Sequence, residues 1–388
     1  MNGGAERRVR VLLAGPLPID GDVVGGTKVS FARLARGLRD DERLDVRVFD
    51  TSRARAGRGR MRRLVGEVAT LARLLGRAAF GREEVVVLNA SSGGLLSSGP
   101  LVWAACRLRG ARFVVRVFGG DLDLFLDRAP WLRRALFRRT TARADLLLLQ
   151  TRALCERLDG ARAVRWLPTT REPAPRDAAT LERDGVATRF LFVGQLRAEK
   201  GVADAVAAAN ALGAGVTLTV AGPAMPGFDV DALESTPRWS WVGPLPPAEV
   251  ARAMADHDVL VFPSRHAGEG LPGTIVEAMQ LGLPVVAARW RSVPELVEDG
   301  VNGLLVEPGD TDGLTSAMRR LADDGALRGR LARGAVATGE RFRATQWERE
   351  LGGWISLLAQ GEGHARGHSQ ASGMQPASRP RAGFDAGK

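Results

Sequence analysis

Short apolar runs of β-forming residues alternate with helix-length stretches twice along this chain, and a proline-punctuated segment separates the two series. In the first series the runs are 9–14, 45–49, 85–89, 113–117 and 146–150; in the second they are 190–193, 216–221, 239–242, 259–263 and 284–288. Strands that carry apolar residues at consecutive positions must be covered on both faces, which parallel sheets achieve with crossover helices. A length of 388 residues is too great for one such core and suits two. The expected organisation is an α/β domain over 1–170, a second over 171–340, a helix over 341–360 and a disordered tail over 361–388. Pro168, Pro173 and Pro175 mark an interdomain linker that runs to Gly185. Trp347, Leu351, Trp354 and Leu358 recur at helical spacing in the last helix, and the residues after 360 show no apolar periodicity.

Composition narrows the class. With 45% hydrophobic and 26% charged residues the chain is globular. Two cysteines, Cys106 and Cys155, match neither a disulfide framework nor a zinc pattern, so a reducing cytoplasm is expected and a metal is not. The opening residues lead straight into a strand too short for a signal-peptide core. Two uncharged windows, 85–106 and 205–228, are broken by Gly, Ser and Pro; they read as strand, loop and helix, and as helix, strand and turn.

Charge is divided unevenly. Residues 1–170 carry 32 basic against 17 acidic side chains, the remainder 23 against 27. A cationic half attracts phosphate-rich partners, such as anionic lipid headgroups, a lipid pyrophosphate or nucleic acid. Arg53, Arg55, Arg58, Arg60, Arg62 and Arg63 precede an amphipathic helix bearing Leu64, Val68, Leu71 and Leu75. Trp131 lies beside Arg133, Arg134, Arg138 and Arg139. Peripheral binding to the inner face of an anionic cell membrane is therefore expected. No nucleic-acid-binding motif is present.

The chemistry concentrates in the second half. A strand ends in Gly194, Gln195, Leu196, Arg197 and then Lys200 and Gly201, one of only three lysines in the chain standing where a helix begins. Loops at that position bind phosphate, because free N–H groups and the positive helix end point outward. About seventy residues on, Glu269 is followed by Gly270, Leu271, Pro272, Gly273 and Thr274, and then by Glu277. The glycine-rich turn offers N–H groups to a diphosphate or a sugar, Thr274 is placed to open the next helix, and a carboxylate at Glu277 can accept from two vicinal ribose hydroxyls. Glu269 can hold sugar hydroxyls.

These motifs resemble those of family 4 of the retaining glycosyltransferases, which have the GT-B fold: two Rossmann-like domains facing each other across a donor-binding cleft. In that family a glycine- and lysine-bearing loop grips the donor diphosphate and a Glu-x7-Glu motif grips sugar and ribose. Here they correspond to Gly194 to Gly201 and to Glu269 with Glu277. Pro294-Glu295, Asp299-Gly300, Asn302-Gly303 and Pro308-Gly309-Asp310 match downstream, and Val242-Gly243-Pro244 resembles a turn that contacts the nucleobase. Gly25 and Gly26 resemble the loop that approaches the donor from the opposite domain.

The resemblance implies a hexosyl transfer from a nucleotide-sugar to a glycan or lipid-linked acceptor, as in polysaccharide synthesis, without cofactor or metal. It also implies that the leaving diphosphate takes the acceptor proton, with Lys200 and Arg197 stabilising its charge, and that the final helix crosses back to the first domain. Three departures stand out. Gln195 occupies the place of the usual loop arginine, and Arg197 is the nearest replacement. Phe118-Gly119-Gly120-Asp121 stands where the family often presents a histidine, leaving Asp121 to hold a hydroxyl or to form an Asx turn. Pro168-Thr169-Thr170-Arg171 replaces a Pro-Asn-Gly pattern at the hinge. His257 and His266 read as structural or surface residues. Two rivals remain, a GT-B-like sugar-nucleotide epimerase and a non-catalytic basic scaffold that binds nucleic acid.

Overall fold

A computed structural model describes residues 7–18, 26–52, 60–172, 188–233 and 235–361. Gly25, the linker from Pro173 to Gly185, Arg53, Arg55, Arg58 and the residues after 361 lie outside the described residues, as do the side chains of Arg60, Arg62 and Arg63.

The first domain runs β1 (Val9–Gly15), α1 (Gly26–Arg39), β2 (Leu44–Asp50), α2 (Arg60–Phe80), β3 (Val85–Ser91), α3 (Ser92–Ser97), α4 (Gly99–Arg109), β4 (Arg112–Phe118), α5 (Leu122–Arg128), α6 (Trp131–Arg139), β5 (Leu146–Leu149), α7 (Arg152–Arg157) and β6 (Val164–Trp166). Its sheet is parallel throughout, in the order β2-β1-β3-β4-β5-β6. Successive strand residues point to opposite faces, and both faces are buried. Leu12, Val86, Leu88, Val115 and Leu149 pack on one side with Leu74 of α2 and Val102 of α4. Val11, Leu13, Val87, Val114 and Leu148 pack on the other with Phe31 of α1.

The second domain runs β7 (Thr188–Val193), α8 (Val202–Asn210), β8 (Val216–Ala221), β9 (Trp239–Trp241), α9 (Pro247–Asp256), β10 (Val259–Phe262), α10 (Gly273–Gln280), β11 (Val285–Ala288), β12 (Gly303–Val306), α11 (Thr311–Asp323) and α12 (Gly325–Glu340). Its parallel sheet has the order β9-β8-β7-β10-β11-β12. The last helix, α13 (Ala344–Ala359), sets Leu351, Ile355 and Leu358 against the first domain's sheet beside Phe31.

All ten strands read from the sequence are present. Two more, β6 and β12, are only three and four residues long and gain their identity from pairing with β5 and β11. The Gly/Ser stretch after β3 is helical and not a loop: Ser91 caps α3 by accepting from the Gly94 N–H. On α2 the buried face is Leu74 and Ala78, while Leu64 and Val68 are exposed. No helix among the described residues is long and apolar enough to cross a membrane.

Candidate active site

Strand order decides where a ligand can enter. The second sheet reverses direction between β7 and β10, so the connections leaving those two strands diverge to opposite faces and leave a crevice at their carboxyl ends. Both sequence motifs emerge there. Gly194 to Lys200 follows β7, and the turn from Ser264 to Pro272 follows β10 and leads into α10. The two turns pack closely: Gly201 has a left-handed φ of 71°, and a methyl group there would lie 2.5 Å from the Pro263 carbonyl oxygen.

Within the crevice, Lys200 Nζ lies 2.6 Å from Glu269 Oε2, which also accepts from Ser264 Oγ at 2.6 Å. Glu269 is buried, so its charge depends on these two partners. Leu271 turns its side chain into the core beneath α10, and Pro272 takes the N-cap position. Gly270 meets the first domain, with its neighbourhood shaped by Gln150 and Gly119. Gly273 is the first residue of α10 and Thr274 the second, with Glu277 one turn further. Val242, Gly243 and Pro244 follow β9; the Gly243 carbonyl accepts from the Gly222 N–H, and Val242 is half exposed at the same edge. The Gly194 N–H donates to Ala221 O.

Arg171 was recognised in the sequence only as part of the hinge, yet it dominates the centre of the site. Its Nε donates to Glu277 Oε1, and its Nη1 donates to Ser30 Oγ of α1 at 2.9 Å. The guanidinium lies across the amino end of α10, where a methyl group at Gly273 would overlap Nη2. Gly26, at the amino end of α1, faces the same nitrogen. The backbone of Arg171 is fixed as well, since its N–H donates to Phe342 O and its carbonyl accepts from Gln280 Nε2 at 2.8 Å. Arg171 therefore ties together both domains and the chain entering α13.

Arg197 lies in the loop after β7, next to the Lys200 turn. It pairs with Glu199 at 3.4 Å and is engaged by neither motif carboxylate. The side chain of Gln195 bonds to no other described residue and is half-buried beside it.

The Gly119-Gly120 step that replaces a histidine also has a steric reason. The Gly120 N–H points at Gly268 O across the cleft, and a methyl group at Gly120 would overlap the Glu269 carbonyl oxygen. Asp121 stands at the N-cap of α5 without capping it and instead accepts from Ser92 Oγ at 2.6 Å, so it forms no Asx turn. Arg291 closes the contact from the second domain, donating to Gly120 O and, at 2.7 Å, to Asp123 Oδ1. Its φ of 49° is the one left-handed non-glycine conformation among the described residues, a strain held in place by these partners. Glu295, in the Pro-Glu motif, accepts from the Arg152 and Ala153 N–H groups at the amino end of α7, and its burial raises its carboxyl above the ordinary range. Sequence reasoning missed the roles of Arg171, Arg291, Ser264 and Glu295 because each partner is more than a hundred residues away or lies in a turn without a signature of its own.

His257 is structural: its ring nitrogens lie 2.6 Å from Ala253 O and 2.8 Å from Thr219 Oγ1. His266 is half-buried at 3.7 Å from Glu199, and burial followed by the charge of Lys200 lowers its pKa. Among the described residues no group of His, Cys, Asp and Glu side chains could hold a metal ion.

The sequence profile described as "Glycosyl transferases group 1" matches residues 187–324, which contain the second-domain elements from β7 to α11 and so both crevice loops. A 2-deoxystreptamine glucosyltransferase of Streptomyces kanamyceticus is 30% identical over 333 residues, covering 77% of this chain and 84% of that protein. A glycogen synthase of Mycobacterium tuberculosis is 34% identical over 187 residues, 46% of this chain, and the match spans less than half, 42%, of that protein's length. Among solved structures, Anabaena HepE in complex with UDP superposes with a TM-score of 0.67 at 18% identity, over 90% of this chain and all of the other. Two parallel sheets opening onto one cleft, together with these similarities, show that the chain belongs to the glycosyl transferases group 1 and has the GT-B fold.

Proposed function

We propose that this chain transfers a sugar from a nucleoside-diphosphate donor to a glycan or lipid-linked hydroxyl, with retention of anomeric configuration. The observation that carries the reading is Lys200, a cation held 2.6 Å from Glu269, whose turn leads into α10. A diphosphate seated there meets Lys200, the free N–H groups of α10 and the Arg171 guanidinium, three positive groups oriented before the reaction. As the glycosidic bond breaks, negative charge grows on the leaving oxygen. Groups already pointing at that oxygen lower the barrier without reorganising. The departing diphosphate lies on the same face as the acceptor and accepts its proton, so no protein base is required.

Glu277 exchanges Arg171 for the two ribose hydroxyls of the donor, and Glu269 takes sugar hydroxyls while keeping Lys200. The contact of Gly120 with the Gly268–Gly270 turn brings the acceptor domain against the donor loop and excludes water that would otherwise hydrolyse the donor. UDP-sugars are the first donors to test, given the UDP held by HepE. Met61, Leu64, Val65 and Val68, exposed on α2 within the cationic half, support work at the cytoplasmic face of an anionic membrane.

The test is incubation of the purified chain with UDP-sugars and with other nucleotide-sugars, each together with sugar and lipid-linked acceptors, following release of the nucleoside diphosphate and the anomeric configuration of the product by NMR. Inverted product overturns the retaining mechanism; no release from any donor overturns the transferase reading.

A further inference from the structure

We propose a second anion site on the first domain, a cavity that binds a phosphate ester through arginines and seats an apolar group on its floor. The cavity has a volume of about 840 Å³ and lies among α4, α5, α6, α7 and the turn before β6. Crossover helix α4 runs back from the carboxyl edge of the sheet, so Arg107 in its last turn sits at the amino edge, as do Gly160 and Arg162 just before β6. The site is therefore separate from the donor cleft, which opens at the carboxyl edges.

Six arginines line this cavity against one carboxylate, Asp127. Arg157 pairs with Asp127, and Arg162 pairs with Asp145 at 3.2 Å. Arg107, Arg134, Arg138 and Arg143 have no carboxylate partner among the described residues. Arg134 and Arg138 stand one turn apart on α6 and so share a face. Like charges gathered in one concavity repel until an anion enters, and guanidinium forks match the several oxygens of a phosphate ester. The walls between them are apolar: Leu126, Phe137 and Leu158 line the cavity with Trp103, whose indole N–H is buried without an acceptor. A bare inorganic ion would leave these walls unfilled. An ester with an alkyl or similar apolar body fills them and offers the indole an acceptor.

The experiment titrates the full chain with hexyl phosphate, using calorimetry, and compares inorganic phosphate and hexanol. Hexyl phosphate is expected to bind more tightly than either. Replacing Arg134→Ala and Arg138→Ala together should weaken it by about tenfold or more, since each charged hydrogen bond contributes on the order of a tenfold factor. Both positions are exposed, so circular dichroism should be unchanged. Lys200→Ala should leave hexyl phosphate binding intact, which separates this site from the donor cleft. Phosphatidylcholine vesicles with and without phosphatidic acid identify the source: sedimentation that requires both arginines assigns a lipid headgroup, and binding of hexyl phosphate without sedimentation assigns a soluble phosphorylated molecule. Absent binding, binding equal to that of inorganic phosphate, or affinity unchanged in the double variant overturns the proposal.

Discussion

Arg171 Nε donates to Glu277 Oε1, joining the segment that connects the two domains to the helix that borders the crevice of the second sheet. Because the guanidinium also reaches Ser30 in the first domain, one side chain senses both the hinge and the site. Arg171→Ala should therefore reduce transfer far more than Arg197→Ala, whose partner Glu199 lies outside the carboxylate pair. Loss of the buried Arg171 contacts should also lower stability by about 1–2 kcal/mol. Initial rates at matched donor concentrations and thermal unfolding of both variants check this; a larger activity loss in Arg197→Ala would return the missing loop cation to Arg197.

At Gly120 the two domains meet through backbone, its N–H donating to Gly268 O. Gly120→Ala places a methyl group against the Glu269 carbonyl and cannot be relieved by a rotamer change. The variant should fold, because each domain keeps its own core, but the cleft should be held open. Small-angle scattering should report a larger radius of gyration and transfer should fall by about tenfold or more. A variant with full activity and unchanged scattering would mean that the contact is dispensable.

Burial pushes both thiols, Cys106 and Cys155, up to about 12. At pH 8 the thiolate fraction is then about 10⁻⁴, far below that of an ordinary cysteine. The native chain should release almost no colour with Ellman's reagent over minutes and two equivalents once unfolded in guanidinium. Prompt reaction of one thiol in the native chain would show that Cys155, the less buried of the two, is not sealed.

Much of this arrangement is legible in the amino-acid order, for reasons that differ by element. Apolar runs such as 85–88 in β3 and 113–115 in β4 declare themselves because consecutive apolar residues in a strand call for cover on both faces. Lys200, Glu269 and Glu277 are legible because a loop at a strand end followed by a helix is local information. β6 and β12 are not legible by the same route, since three or four residues gain strand character only from their neighbours. The reach of Arg171 depends on two chain crossings, with Arg171 beside Arg343, and no local pattern encodes which of 52 arginines will stand there. The exposed face of α2 fails for another reason: helical spacing identifies an apolar stripe but not whether a partner within the chain covers it.

The account rests on Lys200 and Glu277 holding one donor in different ways. In the proposed mechanism Lys200 meets the diphosphate where charge grows during bond breaking, whereas Glu277 holds a ribose that changes little between ground and transition states. The measurement is turnover and donor KM for Lys200→Ala and Glu277→Ala with the nucleotide-sugar found to be active, with circular dichroism as the folding control. Lys200→Ala should lower kcat by about 10²–10³ and weaken donor binding as well. Glu277→Ala should raise donor KM by about tenfold, with kcat at saturation less affected. Two folded variants that both retain wild-type kcat and KM would contradict the placement of the donor in this crevice.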